Sequence, residues 1–140
     1  MECRIVWTDH MTFLGETGSG HTVVMDGAPD AGGRNLAPRP MEMMLVGAGG
    51  CSAFDVVMIL KRGRHAITGC EVVLKAERAE TDPKVFTKLH LHYVVTGQNL
   101  KREAVERAVT LSKEKYCSAT AMLGATAEIS WDLELCEAKA

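Results

Sequence analysis

Two of the five cysteines stand in settings from which chemistry can be argued. Cys51 lies inside an apolar run, residues 41–60, directly after Gly49 and Gly50. Cys117 follows the charged segment Lys113-Glu114-Lys115-Tyr116, at the point where a new helical turn begins. If the fold brings them together, they form a thiol pair able to cycle through a disulfide. In such a cycle a thiolate attacks a peroxide oxygen, the O–O bond breaks, and the resulting sulfenic acid is resolved by the second thiol. Helical spacing puts Met44, Gly47, Ala48, Asp55 and Met58 on the face of Cys51. Small residues there leave room for a second element to approach closely. An ionised Asp55, one turn on, disfavours a thiolate at Cys51; the other reading makes it a buried structural carboxylate with its own donor. Cys117 opens a short helix over residues 118–123, and a helix N-terminus lowers a thiol pKa. On residue physics alone, Cys117 is the better thiolate.

The remaining candidates read more plainly. Cys3, Cys70 and Cys136 fall in or beside strand patterns and are expected to be structural. His90 and His92 share one strand face, but two imidazoles without a Cys-x-x-Cys do not make a zinc site. His21 reads as a strand residue. No metal and no cofactor are expected. Gly47, Gly49 and Gly50 sit within a helix pattern, not between a strand and a helix, so they are not a phosphate loop.

The elements that must position the thiols are marked by pattern. Residues 2–8, 11–16 and 21–26 read as three short strands of an antiparallel meander, and 27–38 as a Gly/Pro/Asp/Asn-rich loop. Pro40 suits the first turn of a helix, Glu42 its positive end, and Lys61 its negative end. That helix, residues 40–61, is apolar nearly all round and must be covered on most sides. Residues 70–79 and 85–96 read as long strands joined by a turn at 81–84. Asn99 is the expected N-cap of a helix over 100–113, with Ala104, Ala108 and Leu111 on its inner stripe beside Val105 and Val109. A last strand covers 126–134. The order gives an α+β class.

Composition bounds the function. The 140 residues suit a single domain, 1–140, and 46% hydrophobic content allows a real core. A net charge of −2, with no Lys/Arg cluster long enough to suggest a basic face, argues against a nucleic-acid partner. The opening residues lack a basic region followed by an apolar one. Five cysteines without framework spacing fit a reducing compartment, so the expected location is cytoplasmic. The run 41–60 approaches membrane-spanning length, but Glu42, Ser52 and Asp55 interrupt it and Lys61-Arg62-Gly63-Arg64 ends it. It reads as a buried core helix, not a span.

Pro40 with its Glu-containing hydrophobic helix start, then Gly49-Gly50-Cys51, then Tyr116-Cys117-Ser118 ahead of Ala121-Met122-Leu123, resembles the OsmC/Ohr superfamily of thiol peroxidases, most closely its YhfA-like branch. The resemblance covers nearly the whole chain in the order of its elements. It implies an OsmC-like fold, antiparallel sheets around a long central buried helix, in an intertwined homodimer. It makes Cys51 the attacking thiol and Cys117 the resolving partner, against the preference from residue physics. It implies an organic hydroperoxide substrate, a small dithiol or lipoyl-type reductant, and an apolar pocket from Met44, Phe54 and Met58.

One departure bears on activity. Active peroxidases of the family pair a Glu directly after the helix-opening proline with an Arg from the first hairpin. Here that position is Met41, and residues 13–21 contain no arginine. Glu42, nine positions from Cys51, falls on the opposite side of the helix. Arg39 or Arg34 is the available stand-in from the loop, so Arg39 and Glu42 are the candidate activating residues. The rival expectation is a non-enzymatic dimeric stress or small-molecule-binding protein that kept the fold and lost this pair.

Overall fold

The computed structural model of the chain describes residues 1–139. These divide into two compact units, the first Met1–Val46 and the second beginning at Gly47.

In the first unit, β1 (Cys3–Asp9), β2 (Thr12–Thr17) and β3 (Thr22–Met25) form the expected antiparallel meander in the order β1-β2-β3. Gly20, at φ +89°, turns the chain between β2 and β3 in a conformation that L side chains resist. The loop after β3 is organised by Asp26, which is almost fully buried. Its Oδ1 accepts from the Gly27 N–H at 2.7 Å, and its Oδ2 accepts from the N–H groups of Arg34 (3.3 Å) and Leu36 (3.1 Å). Burial opposes ionisation of this carboxyl, but the three backbone donors and the Arg34 guanidinium outweigh it and hold the pKa below its ordinary value. Pattern marks residues 27–38 only as a loop; the scaffold of that loop is a buried carboxylate.

Helix α1 (Pro40–Arg62) begins in the first unit and continues into the second. Its 23 residues give a length of roughly 35 Å. Arg39 is the residue before it, and the Glu42 carboxylate reaches back to accept from the Arg39 backbone N–H at 3.1 Å. That is the Glu half of a capping box, which satisfies a donor that the helix itself leaves unpaired. By length and composition α1 is apolar enough to cross a membrane. Yet it buries Ser52 and Asp55 on the same face as Ala48, Val56 and Leu60.

In the second unit, β4 (Ala66–Arg78), β5 (Phe86–Gln98) and β6 (Glu128–Glu137) form one sheet in that order. Alternate residues of β5, Leu89, Leu91, Tyr93 and Val95, are buried, as period-two side-chain alternation requires. Gly49 lets α1 approach this sheet: a Cβ there would lie 2.6 Å from Leu74 Cδ1 on β4. The sheet is mixed and not wholly antiparallel as expected. β4 pairs antiparallel with β5, but β6 runs parallel to it, with Leu91 opposite Trp131. The intervening helical segments carry the chain back, so the last strand starts from the same end as β5.

Pairing also moves the strand limits. β4 starts four residues before the expected 70, because Ala66 and Ile67 pair with Gln98 and Gly97. β6 extends to Glu137 for the same reason, opposite Gly97. Lys101, and not Asn99, occupies the N-cap position of helix α2 (Arg102–Leu111), without a side-chain cap bond. Asn99 adopts φ +51° and gives its backbone N–H to Glu137 Oε1 at 3.1 Å, so it turns the chain out of β5 instead. Val105, Ala108 and Val109 are the buried stripe of α2, while Ala104 and Leu111 sit at its margins.

Candidate functional site

The continuation of α2 is unusual. Residues Ser112–Tyr116 form a π-helical turn, closed by the Cys117 N–H donating to the Ser112 carbonyl at 2.8 Å. Such turns add a residue and rotate the chain beyond them, and they recur at functional sites. Here the turn keeps Ser112 fully buried and delivers Cys117 to the start of α3 (Ser118–Leu123). Cys117 is itself the N-cap of α3: its Sγ accepts from the Thr120 N–H at 3.4 Å.

The structure brings the two thiols of interest together. The Sγ atoms of Cys51 and Cys117 and a carboxylate oxygen of Asp55 all lie within 4.8 Å of one another. Cys51 and Asp55, four residues apart on α1, share one face. Cys51 is half-buried, and Cys117 is 3% exposed. Burial pushes the Cys117 thiol up, and the neighbouring Cys51 adds to the rise; the Thr120 hydroxyl and N–H offset part of it. The helix N-terminus at Cys117 therefore does not produce the easily ionised thiol expected of it. A cap of a six-residue helix cannot compensate for desolvation.

Asp55 has its own donor, the second of the two expected alternatives. Ser112 Oγ donates to Asp55 Oδ2 at 2.9 Å. Ser112 Oγ is 3.2 Å from Ser52 Oγ, which is 2.5 Å from the Tyr93 hydroxyl. Each hydroxyl has one proton. Because Ser112 directs its proton at Asp55, it must accept from Ser52, and Ser52 must accept from Tyr93. The order Tyr93, Ser52, Ser112, Asp55 is a directed hydrogen-bond chain inside the core. Burial pushes the Tyr93 phenol up to about 12, which keeps it a donor. Its ring packs edge-on to Trp131 at 6.3 Å.

Sequence reasoning misses Ser52, Ser112 and Tyr93. The signal for the serines is their place on apolar stripes: Ala48, Ser52, Asp55 and Val56 on α1, and Val105, Ala108, Val109 and Ser112 on α2. A polar residue at a core position demands a partner. No sequence rule says which stripe supplies it.

The candidate activating residues are engaged with each other. Arg39 Nη1 contacts Glu42 Oε1 at 3.0 Å, both side chains partly exposed, at the start of α1. Arg34 bonds Asp9 at 2.8 Å and the Thr12 hydroxyl at 3.2 Å. Of the expected pocket residues, Phe54 and Met58 line an apolar groove on α1 with Gly50, Ala53 and Val57. Met44 does not line it and is exposed. His90 and His92 both reach Asp132 Oδ1, at 2.9 and 2.8 Å, on the outer face of the β5–β6 pair, and His90 also bonds Ser130 at 2.7 Å. They knit the parallel strands together.

Residues 32–132 match the family of OsmC-like proteins. The chain is 50% identical over 135 residues to protein YhfA of Escherichia coli (strain K12), across 96% of this chain and 98% of that protein. A crystal structure of a hypothetical protein from Aquifex aeolicus VF5 is 33% identical, with a TM-score of 0.79 and 96% of each chain covered. The organic hydroperoxide resistance protein OsmC from Legionella pneumophila shares the fold at a TM-score of 0.72, with 15% identity over 96% of this chain and 97% of that one.

Proposed function

This chain belongs to the OsmC-like protein family, and we propose that it is a thiol-dependent reductase of organic hydroperoxides that works through Cys51 and Cys117. The observation that carries the reading is the placement of both sulfurs within 4.8 Å, one half-buried and one buried. The more accessible Cys51 takes the attacking role. Its thiolate forms an S–O bond with the peroxide, the O–O bond breaks, and the alkoxide leaves and is protonated to the alcohol. Cys117 then attacks the sulfenic sulfur. The S–S bond forms, the S–O bond breaks, and the hydroxide leaves as water with the Cys117 proton. Asp55, with a carboxylate oxygen within 4.8 Å of both sulfurs, takes that proton from Cys117 and gives it to the hydroxide departing from Cys51. A small dithiol or lipoyl-type reductant restores both thiols and is itself oxidised to a disulfide.

Assembly and location belong to the same reading. Met44, Val46 and Phe54 of α1 are exposed at 50%, 61% and 68%. Three large apolar side chains on one helix suit a homodimer interface. The five free cysteines suit the cytoplasm.

Turnover is expected to be slow, because Arg39 and Glu42 hold each other at the helix start and Arg34 holds Asp9. That pairing also favours the rival reading, a dimeric binding protein without activity. The test is loss of an organic hydroperoxide with dithiothreitol, for wild type, Cys51→Ser and Cys117→Ser side by side. The proposal expects Cys51→Ser to match the no-protein blank and Cys117→Ser to lose multiple turnover and overoxidise. Wild type at the blank rate would establish the binding-protein reading; full activity in Cys51→Ser would remove Cys51 as the nucleophile.

A further inference from the structure

Cys51, Asp55 and Cys117 offer two sulfurs and a carboxylate oxygen converging on one point. We propose that the reduced cluster is a binding site for a thiophilic divalent cation of the zinc type. The site goes beyond the peroxide chemistry and does not depend on it.

The donor set is the first argument. Two thiolates with one carboxylate match the ligands of four-coordinate zinc, whereas magnesium and calcium favour oxygen throughout. The spacing is the second. Zn–S near 2.3 Å and Zn–O near 2.0–2.2 Å place tetrahedral donors roughly 3.5–3.8 Å apart. The three donors already lie within 4.8 Å, so rotation of short side chains by about 1 Å closes the shell. Cys51 and Asp55 stand at i and i+4 on one helix, the spacing by which a helix presents two ligands to zinc. Cys117 arrives from a separate element, which fixes the third direction.

The surroundings are the third argument. Ligating carboxylates and thiolates need outer hydrogen bonds to orient them. Ser112 holds Asp55 Oδ2 at 2.9 Å, and the Thr120 N–H points at Cys117 Sγ at 3.4 Å. Cys51 is only half-buried, so the fourth position can take water from outside. The alternative cluster, His90 and His92 on Asp132, converges both imidazoles on one carboxylate oxygen.

Metal and disulfide exclude each other at this site. Oxidation of the metal-bound pair by one hydroperoxide forms the S–S bond, takes up two protons, yields one alcohol and one water, and releases the cation. The thiol pair is then both ligand and trigger, and the cation shields the reduced thiols until an oxidant arrives.

The experiment uses the full chain, reduced, treated with a chelator and freed of reductant. Co²⁺ is added and thiolate-to-cobalt charge-transfer absorption is recorded; Zn²⁺ is followed by competition and by metal content. Expected is one cation per chain, sulfur-to-cobalt absorption about halved in Cys51→Ser and in Cys117→Ser, and affinity lowered at least ~100-fold in each. Asp55→Asn is expected to lose about tenfold. Because a variant could misfold, wild type oxidised to the disulfide is titrated as well. It should take up no cation, and thiol reduction should restore uptake. Absence of uptake by reduced wild type at micromolar Co²⁺ and Zn²⁺ overturns the proposal, as does uptake unchanged in both cysteine variants or in the disulfide form. Peroxide loss is assayed separately with chelator present, so its failure bears only on the reductase reading.

Discussion

Replacing Ser112 by alanine should be the most informative single change in the buried polar chain. Ser112 is fully buried and stands between Ser52 and Asp55. Its removal takes the donor from a carboxylate oxygen, a bond to a charged acceptor being worth about 1.5–3 kcal/mol. It also leaves the Ser52 proton without an acceptor, at a further cost of about 1–3 kcal/mol. The two together come to about 2.5–6 kcal/mol, or roughly 8–20 °C in unfolding midpoint for a chain of this size. Tyr93→Phe tests the direction of the chain. It removes the first donor, but the Ser52 proton still has Ser112 to accept it. The loss should be about 0.5–1.5 kcal/mol. The assay is urea unfolding of reduced wild type and both variants at neutral pH. A Tyr93→Phe loss equal to or larger than that of Ser112→Ala would show that the chain does not run toward Asp55. A Ser112→Ala loss under about 1 kcal/mol would show that Asp55 is satisfied some other way.

The same geometry sets three further outcomes. The Tyr93 phenol is raised by burial from 10.0 to about 12. The stability this contributes is complete below pH 10 and is lost as pH rises toward 12; a pH series of unfolding midpoints should show that fall, and Tyr93→Phe should reduce it. Asp26, held below its ordinary 3.8 by backbone donors and Arg34, contributes stability that is present above that value and lost as pH falls through the folded value. Asp26→Asn should flatten the acid limb and loosen residues 27–38 to proteolysis; an unchanged acid profile would show that the carboxylate is not stabilising. Gly49→Val should cost about 1–3 kcal/mol by overpacking against Leu74, and Leu74→Ala in the same chain should recover part of it, measured as a double-mutant cycle.

The sequence by itself determined the elements and the two thiols. Prolines, glycines and alternation mark the meander and the loop after it; the apolar run fixes α1; and Gly49-Gly50-Cys51 with Tyr116-Cys117-Ser118 marks the family. These are local signals, carried by residues a few positions apart. Asn99 shows their limit: its cap-like character is legible, but it sits in a left-handed turn bonded to Glu137 of β6, and Lys101 takes the N-cap position without a side-chain bond.

Tertiary structure decided what distant residues do to one another. The parallel entry of β6 depends on where the helical return delivers the chain. The Cys117 thiol is raised because it is buried beside Cys51, although its own neighbours predict the opposite. Asp55 depends on Ser112, 57 residues away, for its donor. Glu42 is legible as a helix-start residue, and its pairing with Arg39 is local. Hydrogen bonds and desolvation act over a few ångströms in space and are indifferent to separation along the chain. A pattern read along the sequence can therefore find the stripe on which a polar residue sits, but only the packing of one stripe on another names its partner.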